Sequence, residues 1–469
     1  MAARALRAIQ PALAYVGDEF VADLVIVFDE QSGTIARVGP AHDVPADLNV
    51  ERRSGCALLP GMVNAHSHAF QRVIRGWTQW RPPDEQADFW SWRESMYRAV
   101  LRLTPDDVYL VSRFCFIEML LAGYTTVGEF HYLHCDPRGR AYEDPNELAV
   151  QVVRAAQDAG IRITVLNVAY TTGGIAEPLR PEQARFATPD LDAFLAHTDT
   201  LCAWLQGCPL ARGGIAPHSI RAVPREWLRP IAEYARAREL PLHMHLSEQP
   251  AEVAASVRYY GARPVELAET ESVLSDGFTA VHATHLADGE VAALGRARAH
   301  VCACPTTERD LGDGIMRARD LTRAGARLCI GSDSQTTIDP WDELRSIEYH
   351  ARLALLRRVV LTDARTPDRL ENAPLLLRAG TTGGAGALRT GTGILAAGEP
   401  ADFVLIDLEH PALAGWNKTT LGALLALSAP AAVVNDVWVG GWPRVRDRQH
   451  DALSPARHAF EQVCQRVLA

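Results

Sequence analysis

The stretch ALLPGMVNAHSH, residues 57–68, decides the fold. It is an apolar run that ends in two histidines separated by one residue. Residues i and i+2 of a strand point to the same face, so the His66 and His68 side chains are expected to share one face. An apolar strand with polar groups at its carboxyl end is typical of a buried parallel sheet whose functional groups gather at that end.

The same pattern recurs as far as residue 335, with helical stretches between most of the runs. The further apolar runs are residues 124–133, 161–170, 212–220, 240–248, 278–286, 300–308 and 327–335. One helix is predicted from Thr104 to Ala122, because a Thr-Pro-Asp-Asp start and a closing Gly123 are typical helix boundaries. Alternating strands and helices predict a (β/α)8 barrel over residues 57–380. A doubly wound open sheet also alternates, but it gathers its polar strand ends at one crevice.

Both ends of the chain carry a different pattern. Short β-type runs with turn residues dominate there, for example VADLVIVFDEQSGTIARVG at residues 21–39. We expect residues 1–56 and 381–469 to form one small β-sandwich domain built from both chain termini. The predicted fold class is therefore α/β, a distorted TIM-type barrel with this second domain.

Composition excludes several classes of function. The 469-residue chain is 48% hydrophobic and 22% charged, as in ordinary globular proteins, and its formal net charge is −10. That charge disfavours nucleic acid and anionic membrane surfaces as partners. Lys418 is the only lysine, so chemistry that needs a lysine would depend on this residue. The irregularly spaced cysteines favour reduced thiols, and no signal peptide or membrane span is apparent, so we expect a cytoplasmic protein.

Polar residues end several of the predicted strands. His245 and Glu248 end the fifth, His282 the sixth and Asp333 the eighth. Together with the two histidines of the first strand they offer imidazole and carboxylate groups, the ligands that a zinc-like ion prefers. Each residue alone is equally compatible with a structural role at the barrel rim. Their joint placement at strand ends favours a catalytic metal site.

Four short motifs together resemble the amidohydrolase superfamily. They are GMVNAHSHAFQR at 61–72, HMHLSE at 243–248, HATH at 282–285 and GSDS at 331–334. The resemblance implies a barrel fold with a composite β domain, and a metal at the carboxyl ends of the barrel strands.

The resemblance also implies the ligand set, which is His66, His68, His245 and Asp333. Many members of the superfamily bridge two metals with a carboxylated lysine, which this barrel sequence lacks. Glu129, at the end of the second strand, is the alternative bridging group. The spacing between His245 and Glu248 instead resembles deaminases with a single metal, so we expect one divalent ion per chain, Zn²⁺.

Longer stretches resemble the formimidoylglutamate deiminases within this superfamily. They include residues 129–148, 216–224, 245–252 and 304–314. The resemblance implies hydrolysis of N-formimidoyl-L-glutamate to N-formyl-L-glutamate and ammonia, a step of histidine degradation, by a homodimer. The implied substrate contacts are Gln71, Arg93, Tyr132, His218 and Arg221. This set suits the substrate, because arginine and tyrosine bind carboxylates well.

The catalytic roles follow from the same resemblance. Asp333 and His282 are expected to orient and deprotonate the attacking water, and Glu248 to pass a proton to the departing nitrogen. Gln335 stands where many relatives have histidine, which bears on substrate preference. Residues 306–309 lie near the barrel mouth and receive no role from the sequence.

Two alternatives stay open at this point. One is another deaminase of the superfamily that acts on a purine or a pterin. The other is a non-catalytic member that serves in binding or assembly, although a complete set of ligands and acid–base groups argues against it. Ammonia release from the competing substrates separates these possibilities.

Overall fold

The computed structural model describes residues 6–45, 48–81, 83, 87–362 and 370–469. The chain begins with strands of one mixed sheet, which are β1 (Leu6–Val16), β2 (Glu19–Val21), β3 (Leu24–Asp29), β4 (Thr34–Pro40) and β5 (Val50–Pro60). Strand β1 pairs in parallel with β5 and antiparallel with β3. Parts of both predicted domain ranges, including residues 1–5 and 363–369, lie outside the described residues.

The parallel barrel follows, and its strands pair in chain order. They are β6 (Met62–Ser67), β7 (Tyr124–His131), β8 (Arg162–Ala169), β9 (Ala211–Pro217), β10 (Leu242–Leu246), β11 (Phe278–His282), β12 (His300–Ala303) and β13 (Arg327–Ile330). Each of the eight predicted runs overlaps one of these strands, so the barrel prediction is confirmed.

The run at residues 57–68 is not one strand, however. Strand β5 ends at Pro60 in the terminal sheet and β6 begins at Met62 in the barrel, with Gly61 between them. A Cβ atom at Gly61 would lie 2.1 Å from Thr125 Oγ1, so only glycine fits where the chain passes from one sheet to the other. Hydrophobicity alone could not reveal this break, because both strands are buried and apolar.

The barrel closes between its first and last strands at the level of the polar groups. His68 N donates to Asp333 O and Asp333 N donates to His66 O, each at 3.0 Å. A parallel bridge joins Ser67 to Asp333. Closure therefore places the strand-eight carboxylate directly beside the two histidines of the first strand.

Helices pack around the barrel. Those described up to residue 388 are α1 (Phe89–Val100), α2 (Pro105–Ala122), α3 (Glu147–Ala159), α4 (Leu191–Leu205), α5 (Arg225–Ala237), α6 (Pro250–Tyr260), α7 (Pro264–Thr270), α8 (Asp288–Arg296), α9 (Pro305–Leu311), α10 (Ala318–Ala324), α11 (Pro340–Leu355), α12 (Ala373–Arg378) and α13 (Gly384–Leu388). Helix α2 agrees with its prediction, since Thr104 caps its start and Gly123 ends it in a left-handed conformation. Among the described residues, no helix has the length and apolarity needed to cross a membrane.

The carboxyl-terminal part completes the first sheet with β14 (Phe403–Asp407), β15 (Val434–Val439) and β16 (Trp442–Val445), and adds α14 (Leu421–Ser428) and α15 (Leu453–Leu468). The sheet order is β16-β15-β14-β5-β1-β3-β4, with β2 paired to β1. The rings of Phe28 in β3 and Trp438 in β15 lie 5.5 Å apart, although three strands separate β3 from β15. The sheet therefore curls around its own apolar core, and the expected β structure from both termini is confirmed.

Candidate functional site

Four side chains meet at the carboxyl end of the barrel. They are His66, His68, His245 and Asp333, whose donor atoms all lie within 4.8 Å of one another. The Nε2 atoms of His66 and His68 lie 3.4 and 3.3 Å from Asp333 Oδ1. All four residues are buried. The structure thus brings together the four residues that the motifs singled out as ligands.

Hydrogen bonds to the backbone orient two of the imidazoles. His68 Nδ1 donates to the Phe130 carbonyl at 3.0 Å, and His245 Nδ1 donates to the His218 carbonyl at 3.1 Å. Each ring therefore carries its proton on Nδ1 and keeps a lone pair on Nε2. Neither ring nitrogen of the buried His66 has a hydrogen-bond partner among the described residues.

Burial keeps these three imidazoles neutral. It lowers the pKa of His66 and His245 well below the usual value, and that of His68 to about 3. Neutral imidazoles with free lone pairs, two unpartnered nitrogens and an adjacent carboxylate form a donor set that fits a divalent metal ion.

His282 lies equally deep in the barrel but among carboxylates. Its Nε2 is 3.7 Å from both Glu248 Oε1 and Asp333 Oδ2, and its Nδ1 is 3.4 Å from Glu308 Oε1. Burial by itself lowers the pKa of His282, but the three carboxylates outweigh this effect and raise it to about 10. Glu308 belongs to the segment to which the sequence assigned no role.

Arg221 forms a buried ion pair with the proposed proton shuttle. Its Nη2 donates to Glu248 Oε2 at 2.7 Å, and its Nε lies 3.5 Å from Glu252 Oε2. Glu252 in turn accepts hydrogen bonds from the backbone N–H groups of Ser247 and Glu248. The sequence prediction missed both contacts, although the four-residue spacing between Glu248, which precedes α6, and Glu252, in its first turn, was a usable signal.

A cavity opens above the cluster. The residues that line it include all five predicted substrate contacts, which are Gln71, Arg93, Tyr132, His218 and Arg221. Gln71 Nε2 donates to Tyr132 Oη at 2.9 Å. The Arg93 guanidinium lies 4.5 Å from the Trp90 ring, and it makes no ion pair with any described residue.

Apolar and aromatic side chains form much of the rest of the cavity wall. They are Phe89, Trp92, Met96, Tyr97, Tyr170, Phe186 and Leu311. The sequence prediction missed this wall. Of these residues, Tyr170 could have been predicted from the sequence, because it directly follows the third barrel strand, where functional side chains are expected.

Glu129 and Gln335 lie behind the cluster and do not line the cavity. Glu129 accepts hydrogen bonds from Ser67 Oγ at 2.5 Å and from Ala69 N at 2.7 Å. Gln335 Nε2 donates to Ser67 Oγ and to the Asp333 carbonyl, both at 2.9 Å. Burial raises the pKa of Glu129 to about 8. Glu129 therefore braces the end of the first barrel strand, and Gln335 links that strand end to Asp333.

Comparison with known proteins gives consistent results. A family model described as "Amidohydrolase family" matches residues 57–443. Formimidoylglutamate deiminase of Pseudomonas aeruginosa is 38% identical over 439 residues, which cover 92% of this chain and 95% of that protein. A 5-methylthioadenosine/S-adenosylhomocysteine deaminase of Halobacterium salinarum is 28% identical over 457 residues, covering 96% and 94%.

A solved structure agrees over the full length of the fold. The crystal structure of an amidohydrolase from Brucella melitensis superposes with a TM-score of 0.89 at 33% identity, covering 99% of this chain and 100% of that chain. The family match includes every barrel strand and all four members of the buried donor cluster. The chain belongs to the amidohydrolase family.

Proposed function

We propose that the protein hydrolyses N-formimidoyl-L-glutamate to N-formyl-L-glutamate and ammonia. The observation that carries this proposal is a single cavity that joins the His/Asp cluster to two arginines, Arg93 and Arg221. A dicarboxylate with an amidine end needs both features. The similarity to the Pseudomonas aeruginosa deiminase supports the same substrate.

The proposed cofactor is one Zn²⁺ ion held by His66, His68, His245 and Asp333. When bound, such an ion lowers the pKa of water and polarises the amidine. A single ion is supported by the hydrogen bonds of Glu129, whose two oxygens are already occupied by Ser67 and Ala69. Lys418, the only lysine, does not belong to the barrel strands.

The protein side chains divide the proton transfers between them. Asp333 accepts a proton from the attacking water as the water oxygen bonds to the formimidoyl carbon. His282, whose Nε2 lies 3.7 Å from both Asp333 Oδ2 and Glu248 Oε1, orients the water and exchanges protons with these two carboxylates. Glu248, 3.7 Å from His282 Nε2, takes up the proton released by the water by way of His282 and passes it to the departing nitrogen. The carbon–nitrogen bond then breaks and ammonia leaves.

The cavity wall holds the rest of the substrate. Arg93 and Arg221 are assigned to the two carboxylates, since guanidinium groups bind carboxylates in a planar, bidentate manner. Gln71, Tyr132 and His218 supply hydrogen bonds between the carboxylate end and the cluster. Arg93 is well suited to this role because no described residue neutralises it.

The proposal extends to partners and location. The only partner needed for the reaction is the small dicarboxylate, and the net charge of −10 supports the absence of nucleic acid and anionic membranes. We also propose that the protein is a homodimer and is located in the cytoplasm.

A purine-type substrate is the second candidate. The observation in its favour is the aromatic part of the cavity wall, including Tyr97, Tyr170 and Phe186, on which a base could stack. The deaminase of Halobacterium salinarum supports the same candidate. The two arginines favour the dicarboxylate, because a neutral base would leave Arg93 buried against it without a counter-charge.

An ammonia-release assay decides between the candidates. Zinc-loaded protein is tested against formimidoylglutamate, formimidoylaspartate and adenosine-type nucleosides at equal concentration. We expect the highest kcat/KM for formimidoylglutamate. Faster release from a nucleoside would overturn the proposed substrate, and no release from any of them would favour a non-catalytic role.

A further inference from the structure

His282 is held from both sides of its ring. Its Nε2 lies at equal distances, 3.7 Å, from Glu248 and Asp333, the two residues that exchange protons in the proposed reaction. A small rotation of the ring would move Nε2 toward one carboxylate and away from the other. The contact on Nδ1, the opposite nitrogen, therefore decides where Nε2 points.

That contact is Glu308, from the helix α9 that follows strand β12. Its Oε1 is 3.4 Å from His282 Nδ1 and also accepts a hydrogen bond from Cys304 N at 2.9 Å. The Glu308 carbonyl accepts from Asp313 N at 2.9 Å, and only 2% of the residue is exposed. Both its backbone and its carboxylate are thus fixed, so it is a rigid support for the ring.

The backbone beside His282 needs such a support. His282 and Ala283 both have left-handed φ angles, +64° and +49°, which non-glycine residues adopt at an energetic cost. Such a conformation persists only where the surrounding contacts hold it. The Glu308 contact holds the conformation in which the imidazole points into the cavity.

We propose that Glu308 is a positioning residue, which keeps the His282 ring in the orientation that places Nε2 between Glu248 and Asp333. The arrangement is the general one of an acid–base imidazole whose second nitrogen is held by a buried carboxylate. It rests on the proposed function, because His282 matters only if the cavity carries out hydrolysis. It also gives a role at the site to the segment that follows strand β12, residues 306–309, to which the sequence assigned no role.

The same atoms suggest a different use. His282, Cys304 and Glu308 have donor atoms within 4.8 Å of one another and could hold a second metal ion. The positioning role is favoured because Glu308 Oε1 already accepts two hydrogen bonds, which an ion would have to displace. Burial also raises the pKa of the Cys304 thiol, so an ion would in addition have to displace the thiol proton. The experiment below treats the metal site as one of its outcomes.

The test compares Glu308→Gln and Glu308→Ala with a matched control, Glu290→Gln. Glu290 is equally buried and also accepts from backbone N–H groups and a side chain, Arg263, but it lies on α8 away from the cavity. We expect Glu308→Ala to lower kcat roughly tenfold to a thousandfold, with KM changed less than about threefold and metal content unchanged. Glu308→Gln, whose amide oxygen can still accept from Nδ1, should recover part of kcat. Glu290→Gln should lower the melting temperature without lowering kcat.

Other results would overturn the proposal. A Glu308→Ala variant with wild-type kcat, or one that raises KM alone, removes the positioning role. So does a loss that only follows the melting temperature, as in the control. If Cys304→Ala lowers the zinc content or abolishes inhibition by added Cd²⁺, the group is a metal site instead. The variants are compared on whichever amidine the wild type hydrolyses best, so inactivity toward formimidoylglutamate alone overturns the proposed substrate and not the role of Glu308.

Discussion

The barrel mouth has two sides that differ in charge. The imidazole side consists of His66, His68 and His245, and the carboxylate side consists of Glu248, His282 and Glu308. All six are buried to a similar degree. Burial holds the pKa of the first three far below the usual value, whereas carboxylates within 4 Å raise that of His282 to about 10.

The difference shows what decides the role of a buried histidine in this fold. Desolvation acts on both sides and favours the neutral ring. Where most neighbours are other imidazoles, these add to the effect of desolvation, Asp333 alone does not reverse it, and the ring keeps a lone pair for a metal ion. Where three carboxylates surround the ring, they oppose desolvation and favour the charged form, so that the histidine can take part in proton transfer. Position at a strand end is common to both, so the neighbours determine the chemistry.

The largest effect is expected on the imidazole side. His66→Ala should reduce bound zinc from about one ion per chain to nearly none, and turnover should fall by more than the roughly 10²–10⁴-fold typical of an acid–base group. The melting temperature should fall as well, because a bound ion in thousandfold excess over its Kd stabilises the fold by about 4 kcal/mol. Elemental analysis of dialysed protein, activity and thermal unfolding measure the three effects.

The control is another buried histidine of the same strand as His245. His243 Nε2 contacts the Ala387 carbonyl at 2.9 Å and lies outside the cluster. His243→Gln should lower stability and keep the ion. Two tightly bound ions in the wild type, or an ion retained by His66→Ala, would contradict the assignment of the imidazole side.

The positions of several residues in this comparison could be predicted from the sequence. The period of two along a strand places His66 and His68 on one face, and the order of strands in a closed barrel brings Asp333 next to them. Helix α2 was also predictable, because Thr104 and Gly123, the residues that mark its two ends, can be recognised from the sequence immediately around them. Features that depend on neighbouring residues in the chain, or on a regular barrel, need no knowledge of tertiary packing.

The remaining features depend on contacts between distant segments. Glu308 becomes a partner of His282 only because β11 and β12 are adjacent and α9 begins at the mouth. The ion pair of Arg221 with Glu248 depends on side-chain orientations across two loops. The break at Gly61 depends on Thr125 from another strand. No periodicity or short motif encodes these distances, so sequence alone could not supply them.

On the carboxylate side, substitution of Glu248 is expected to lower the turnover rate while substrate binding changes little. Glu248→Gln keeps the size of the side chain but cannot exchange a proton, so kcat should fall roughly 10²–10⁴-fold. KM and zinc content should change little, since Glu248 is not among the cluster of proposed ligands. Steady-state kinetics with metal analysis measure this. If the variant loses its zinc while His245→Gln retains it, the roles of the two residues are exchanged.

Substitutions of Arg221 and Arg93 distinguish an arginine that belongs to the carboxylate side from one that contacts only the substrate. Arg221 touches Glu248 and Glu252, whereas Arg93 pairs with no described carboxylate. Truncating one partner of an enclosed pair costs roughly 2–5 kcal/mol, so Arg221→Met should lower kcat/KM by tens to thousands of fold. Because it also leaves two buried carboxylates unpaired, it should impair every substrate.

Arg93→Met is the selective change. We expect it to lower kcat/KM for formimidoylglutamate mainly through KM, and to affect far less an analogue that lacks one carboxylate. Measuring both variants on both substrates gives the comparison. An equal loss on both substrates for Arg93→Met would show a structural arginine and remove the main argument for a dicarboxylate.

The smallest effect concerns Glu129, a carboxyl group that lies behind the imidazole side. Burial raises the pKa of Glu129 from 4.5 to about 8 in the folded protein, so the group stays neutral near pH 7 and preserves the neutral character of that side. A pKa raised by folding means that the folded state holds a proton which the unfolded state releases above pH 4.5. Its contribution to stability is therefore complete below pH 4.5 and is lost as the pH rises through 8, by about 1.4 kcal/mol per pH unit. Glu129→Gln removes this dependence. In metal-free protein, the melting temperature of the variant minus that of the wild type should be greater at pH 8.5 than at pH 5.5, and a difference independent of pH would show that Glu129 is ionised in the fold.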